Sequence, residues 1–143
     1  MATRAGEVDR LVAALGDDDP TRRESAIARL RVIGPRALAR LSSVATLDAA
    51  PRRRSAALKA IDGLDDKRAV DTARAALGDA SAEVRIAAIA VLRGWLTREP
   101  GAQVLDLVSG VALDPQQEPA IRRAALEALS DLPADIVSRQ VGG

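Results

Sequence analysis

Three groups of side chains in this sequence could do chemistry. The run Asp17-Asp18-Asp19 offers carboxylates to a divalent cation. Arg22-Arg23 and Arg52-Arg53-Arg54 concentrate positive charge, and guanidinium groups at helix starts attract phosphate or carboxylate. Trp95, the sole aromatic residue, offers a ring on which a nucleic-acid base could stack. Each has a plainer reading. The acidic run matches no calcium-loop spacing and suits a helix-capping turn, as does Asp65-Asp66. The basic cluster is flanked by Asp17–Asp19 and Asp48, which neutralise much of its field. Trp95 shares a sequence column with aliphatic residues, which makes it a core position.

Much chemistry is excluded by what is absent. Without histidine or cysteine there is no Ser–His or Cys–His nucleophile and no thiolate metal site. No glycine-rich phosphate loop precedes a helix. These absences lead to the expectation of a protein that is not an enzyme, with no catalytic residue, metal or cofactor. The net charge of +1 selects no partner. No apolar stretch follows Met1-Ala2-Thr3-Arg4, and no run approaches the ~18 apolar residues of a membrane span, so a soluble, cytoplasmic bacterial protein is expected.

The elements that must position these groups follow from an internal repeat. Arg23, Arg54, Arg85 and Arg122 are separated by 31, 31 and 37 residues. Three residues after each arginine stands Ala26, Ala57, Ala88 or Ala125; four after stands Ile27, Leu58, Ile89 or Leu126. Seven after come Leu30, Ile61, Leu92 and Leu129, and ten after come Ile33, Leu64, Trp95 and Leu132. Such spacing marks one face of an α-helix. A shorter apolar-periodic segment precedes each anchor helix, for example Val8, Leu11, Val12 and Leu15 before the first. The spacing therefore predicts four helix–turn–helix units and eight main helices, with no strand. The units cover approximately 4–34, 35–64, 65–96 and 100–132 in a single domain over 1–143, with a short tail over 133–143.

Local punctuation agrees. Asp19-Pro20, Pro51 and Glu118-Pro119 mark helix starts, Ser81 is a cap for the third anchor helix, and Pro35 opens a helix. Gly16, Gly34, Gly63 and Gly78 stand where a left-handed residue would end a helix. Asp17, Asp48 and Asp79 lie six residues before their arginines, so an Asp–Arg ladder over Arg23, Arg54, Arg85 and Arg122 is expected between neighbouring units.

An acid in the turn followed by Val84-Arg85-Ile86-Ala87-Ala88-Ile89-Ala90-Val91-Leu92 resembles the HEAT repeat, and the period near 31 is similar to the short PBS-lyase HEAT-like subclass. The resemblance spans about residues 5–132. It implies an all-α, armadillo-type α-α superhelix, a right-handed solenoid whose anchor helices line the concave side. The sequence departs from the pattern in a two-residue expansion between Asp114 and Arg122 and in a longer loop after Trp95, so the last joint is expected to be irregular.

A helix pair cannot bury its apolar face alone, so the units must stack. Offsets 3, 4, 7 and 10 from each arginine go to the core, and offsets 2 and 6 lean on neighbouring units. Offsets 1, 5 and 8 are left for the groove: Glu24, Ser55, Ile86 and Arg123; Ala28, Lys59, Ala90 and Glu127; Arg31, Asp62, Arg93 and Ser130. Arg53, Lys59, Ile86, Ala90, Arg93 and Arg123 are the expected partner-binding residues. A modest apolar patch rimmed by cations suits a protein or peptide partner. The expected function is thus a non-catalytic scaffold, monomeric by default. The alternatives implied by the resemblance are a nucleic-acid binder related to alkylated-DNA glycosylases and a bilin-lyase-like handler of chromophores.

Overall fold

The computed structural model describes residues 4–133; the end of the expected tail lies outside the described residues. Among the described residues there are eight α-helices and no strand. They are α1 (Arg4–Ala14), α2 (Pro20–Ile33), α3 (Leu38–Leu47), α4 (Pro51–Ile61), α5 (Ala69–Ala76), α6 (Ala82–Arg93), α7 (Gly101–Leu113) and α8 (Pro119–Ser130). Each even-numbered helix is an anchor helix and packs on the helix before it.

The helix starts follow from local chemistry. Asp19 caps α2 by accepting the Thr21 N–H at 2.9 Å, and Pro20 occupies the first turn, where a missing N–H is harmless. Pro51 and Pro119 do the same for α4 and α8. Ser81 begins α6 without a side-chain cap; Asp79 instead accepts the Ser81 N–H at 2.8 Å. Pro35 does not open an α-helix. Gly34–Ala37 form a 3-10 turn that leads into α3.

Only Gly34 among the four helix-end glycines is left-handed in φ, at 86° with ψ at −155°. That region is essentially closed to any residue with a Cβ. Gly16 and Gly63 are small for another reason: a Cβ there would lie 2.8 Å from the Arg53 Cγ and 2.6 Å from the Arg31 Cγ. Gly78 has neither constraint. Two substitutions separate these cases. Gly110, inside α7, has open space around its Cβ position, so Gly110→Ala should raise stability by about 0.5–1 kcal/mol. Gly34→Ala should lower it by about 1–3 kcal/mol, both read from urea unfolding.

The core is a single aliphatic cluster. Ala57, Ala88 and Ala125 are fully buried, as are Leu30, Ile61 and Leu92. The alanine column lets successive anchor helices approach closely. These helices form one row, α2 on α4 on α6 on α8, packed more closely than the outer row of α1, α3 and α5. The outer row is broken at its last joint. There α5 and α7 stand apart around a shallow cleft of about 320 Å³, lined by Lys67, Arg68, Val70, Asp71, Glu99, Pro100 and Gln103. The long loop after Trp95 accounts for that break.

The two ends differ from the middle. Leu126 occupies the column of Ile27, Leu58 and Ile89, yet it is 53% exposed while they are buried. At the other end Ser25 and Arg29 are exposed, whereas their counterparts Ala56, Ala60, Ala87 and Val91 are buried against the preceding unit.

Candidate functional site

An exposed strip is made by offsets 1 and 5 of the anchor helices. Glu24 and Ala28 on α2, Lys59 on α4, Ile86 and Ala90 on α6, and Arg123 and Glu127 on α8 all face solvent. Helical geometry places residues four apart on one face, which is why each helix contributes a pair. Ser55 departs from this pattern. It is 1% exposed, and its Oγ has no hydrogen-bond partner. The strip therefore narrows at α4, where Lys59 alone reaches it. Ile86 is 41% exposed, the largest apolar side chain on the strip apart from the uncovered end.

Two of the expected partner-binding residues are engaged elsewhere. Arg53 is half-buried, lies across Gly16, and pairs with Asp48 at 3.2 Å. Arg93 pairs with Asp131 just beyond α8. It belongs to a second seam at the C-terminal ends of the anchor helices, where offset 8 was expected to be free. Arg31 belongs to the same seam: its Nε and Nη2 donate to the Lys59 carbonyl at 3.1 and 2.6 Å. A cation suits this place, because the last carbonyls of α4 carry the negative end of the helix dipole. Glycine at position 63 lets the Arg31 side chain lie down on α4. The sequence contained this signal as Gly63 paired with a basic residue in the preceding unit.

At the opposite, turn-side end two of the four arginines of the expected ladder, Arg54 and Arg85, bridge neighbouring units. Arg54 donates from Nε and Nη2 to both carboxylate oxygens of Asp79, at 2.8 and 2.9 Å, while its Nη1 donates to the Asp48 carbonyl at 2.9 Å. One guanidinium thus ties its own turn to the next. The Arg54 hydrogen bond holds the Asp79 carboxyl below its usual range, against the opposing effect of burial, and the Ser81 N–H adds to it. Arg85 reaches the next turn through Gln117 at 2.9 Å and Glu118 at 2.8 Å rather than through Asp114. Arg23 binds only its own turn, donating to the Asp17 and Asp18 carbonyls at 2.7 and 3.0 Å. Arg122 donates to the Ala112 carbonyl at 3.4 Å.

The basic cluster is neutralised locally. Arg22 lies 3.7 Å from Asp17 and 3.8 Å from Asp19, and Arg52 lies 3.0 Å from Asp18. With Arg53 on Asp48 and Arg54 on Asp79, the acidic turns are occupied by arginines and by backbone N–H groups. Trp95 is 6% exposed, and the Arg98 guanidinium sits 4.1 Å over its ring while pairing with Asp65. A ring so covered has no open face for a base. Among the described residues, no group of three or more carboxylates converges as metal ligands would, and no helix is long and apolar enough to cross a membrane.

No protein-family model and no curated protein matches the chain. Among solved structures it is similar to a chain in the complex of CpcE and CpcF of phycocyanin lyase from Nostoc sp. PCC7120. The TM-score is 0.61 at 24% identity, over 87% of this chain and 99% of that one. The likeness shows the fold, an all-helical solenoid of stacked pairs. It also corrects the expectation that this chain is not an enzyme, because the same fold serves in a lyase. The lack of histidine and cysteine excludes only chemistry done by those side chains as nucleophile or proton shuttle.

Proposed function

We propose that this chain is a partner-binding subunit of a two-protein assembly of the chromophore-lyase kind, built from short HEAT-like repeats of the PBS-lyase subclass. The partner protein is held on the exposed strip of Lys59, Ile86, Ala90 and Arg123. The observation that carries the reading is the fold's match to a chain from a two-protein lyase complex over almost its whole length. The strip supports it: an exposed Ile86 beside Ala90, with Lys59 and Arg123 on the flanking helices, has the apolar-centre, charged-rim make-up of a protein interface.

The experiment is to incubate the purified chain with a free linear bilin, alone and with candidate partner subunits, and to record absorbance after gel filtration. Pigment co-eluting with the chain or its complex supports the reading; pigment that never co-elutes under either condition contradicts it. Ile86→Arg supplies the partner test. Because Ile86 is exposed, the change should alter stability by no more than about 0.5 kcal/mol. It should weaken partner binding by about tenfold or more, measured by titration calorimetry.

A further inference from the structure

The seam at the C-terminal ends of the anchor helices is built from offset 8, where Arg31, Asp62 and Arg93 stand in successive units. Two of the three are cations, and each reaches the end of the next anchor helix. Arg31 lies over Gly63, so closely that a Cβ there would sit 2.5 Å from the Arg31 Cδ, and its guanidinium donates to the Lys59 carbonyl at the end of α4. Arg93 pairs with Asp131 beyond α8. Asp62 breaks the series. It is an acid at the C-terminal end of α4, and its Oδ1 is 3.9 Å from the Cβ position of Gly94, at the end of α6. Both helix ends carry partial negative charge, which favours a cation and disfavours a carboxylate.

The end of α6 is nevertheless shaped like the end of α4. Gly94 stands 31 residues after Gly63, and Ala90 stands 31 after Lys59. The Gly63 N–H passes over the Lys59 carbonyl and bonds to that of Ala60 at 3.2 Å; the Gly94 N–H passes over Ala90 and bonds to Val91 at 3.2 Å. At Gly63 the stem of Arg31 covers the glycine. Over Gly94 no such side chain lies. Its φ of −67° needs no glycine. Apart from its chain neighbours, only the Val91 carbonyl and Asp62 come within 4 Å of its Cβ position among the described residues. Asp62 makes no ion pair among those residues, and both it and Gly94 are open to solvent. The surrounding chain still shields the Asp62 carboxyl enough to raise its pKa above the ordinary aspartate value, and the charge of Arg31 offsets this only in part. A local rule broken at a stability cost is characteristic of a place where a ligand supplies the missing group.

We infer that Asp62, Gly94 and the end of α6 form a slot for an arginine side chain of the partner protein. The arginine stem lies over Gly94 as that of Arg31 lies over Gly63. Its guanidinium donates to the Ala90 carbonyl and to the Asp62 carboxylate, and the planar fork of donors suits both acceptors at once. The slot adjoins the exposed strip, since Ala90 belongs to both. The inference therefore rests on the reading that a protein partner lies on that strip, and it gives the partner an arginine at the edge beside Ala90.

The probe is N-acetyl-arginine amide, titrated into the isotope-labelled full-length chain and followed by NMR, with the lysine and citrulline analogues as controls. Arginine should produce saturable shifts at the Gly94 amide and the Asp62 carboxyl carbon, with a dissociation constant on the order of 10 mM for a single exposed pair. Citrulline, which has the same shape and no charge, should leave both resonances unmoved. Asp62→Asn removes the charge, and Gly94→Ala fills the floor with a methyl group that the free chain has room for. Each should keep the helical circular dichroism and abolish the arginine response. Asp62→Arg fills the slot from within and should raise the thermal midpoint by about 2–4 °C. No arginine response, an equal response to citrulline, or a response that survives Asp62→Asn overturns the inference, as does a lowered midpoint for Asp62→Arg. A lysine response equal to that of arginine overturns the choice of a guanidinium. The titration contains neither partner nor pigment, so a failed slot leaves the Ile86 test of the strip standing, and a failed strip leaves the slot result intact.

Discussion

Ala88→Arg should remove most of the chain's margin of stability, lowering it by more than about 4 kcal/mol. Ala88 is fully buried on α6, in the alanine column three residues after the anchor arginines. An arginine there has too little room, and overpacking alone costs about 1–3 kcal/mol. Its charge would also leave water for the buried hydrophobic cluster to which Ala88 belongs. The unpaired charge therefore costs more than the crowding. Because α6 packs on both α4 and α8, the damage spreads to both joints. Thermal unfolding followed by circular dichroism should show a midpoint lower by roughly 10 °C or more. Ile86→Arg, two residues away on the same helix but exposed, should leave the midpoint almost unmoved. The reverse order would mean that the buried and exposed faces of α6 have been exchanged.

The second large effect is expected at Asp79→Asn, about 2–3 kcal/mol of destabilisation. The Arg54 and Asp79 side chains are only 13% and 12% exposed, and their two parallel hydrogen bonds have the geometry of a strong pair. Removing the carboxylate leaves a guanidinium in a poorly solvated joint. The Arg40–Asp9 pair between α3 and α1 is as short, 2.9 Å, but both partners are more than half exposed. Asp9→Asn should cost less than about 1 kcal/mol. Burial, not distance, separates the two cases. The Arg54–Asp79 pair also sets an acid limit. Its carboxyl is depressed in the folded state, so its contribution is complete above about pH 4, the usual unfolded value, and is lost as pH falls through the lowered folded value. Urea titrations from neutral pH down to pH 2 should show a steeper acid loss in the wild type than in Asp79→Asn.

Most of the fold was legible because four anchor arginines fixed the register. Once Arg23, Arg54, Arg85 and Arg122 were aligned, the column at offset 3 named a buried position in every unit and the column at offset 7 in the first three, and eight helices followed. What local patterning did not reveal was neighbour identity. Leu126 reads as core in its own helix, yet it is more than half exposed. Ser55 reads as groove and is buried because its neighbours close over it. Offset 8 reads as surface, yet Arg31 and Arg93 bridge units, a long-range contact that helical periodicity does not encode. The glycines show the same limit. A glycine after a helix suggests a left-handed turn, and Gly34 is one, but Gly16 and Gly63 are small because arginines from another unit pass over them.

The exposed strip was partly legible for a related reason. Lys59, Ile86, Ala90 and Arg123 stand in solvent as their helical positions require, while Arg53 and Arg93 are drawn into ion pairs across the joints. Long side chains choose the nearest carboxylate, and which one is nearest depends on stacking. The expectation that the chain is not an enzyme failed differently. A list of missing nucleophiles excludes particular mechanisms; it does not exclude a fold that serves in a lyase.

The stacked seam has one built-in reporter. Trp95 is the sole aromatic residue and occupies the same column as Ile33, Leu64 and Leu132. Acrylamide quenching of its fluorescence, in the native chain and in urea, tests the packing directly. A stacked seam predicts slow quenching in the native chain, rising sharply and in one step with the loss of helical circular dichroism. Native quenching as rapid as that of the unfolded chain would place Trp95 in water and contradict the stacking.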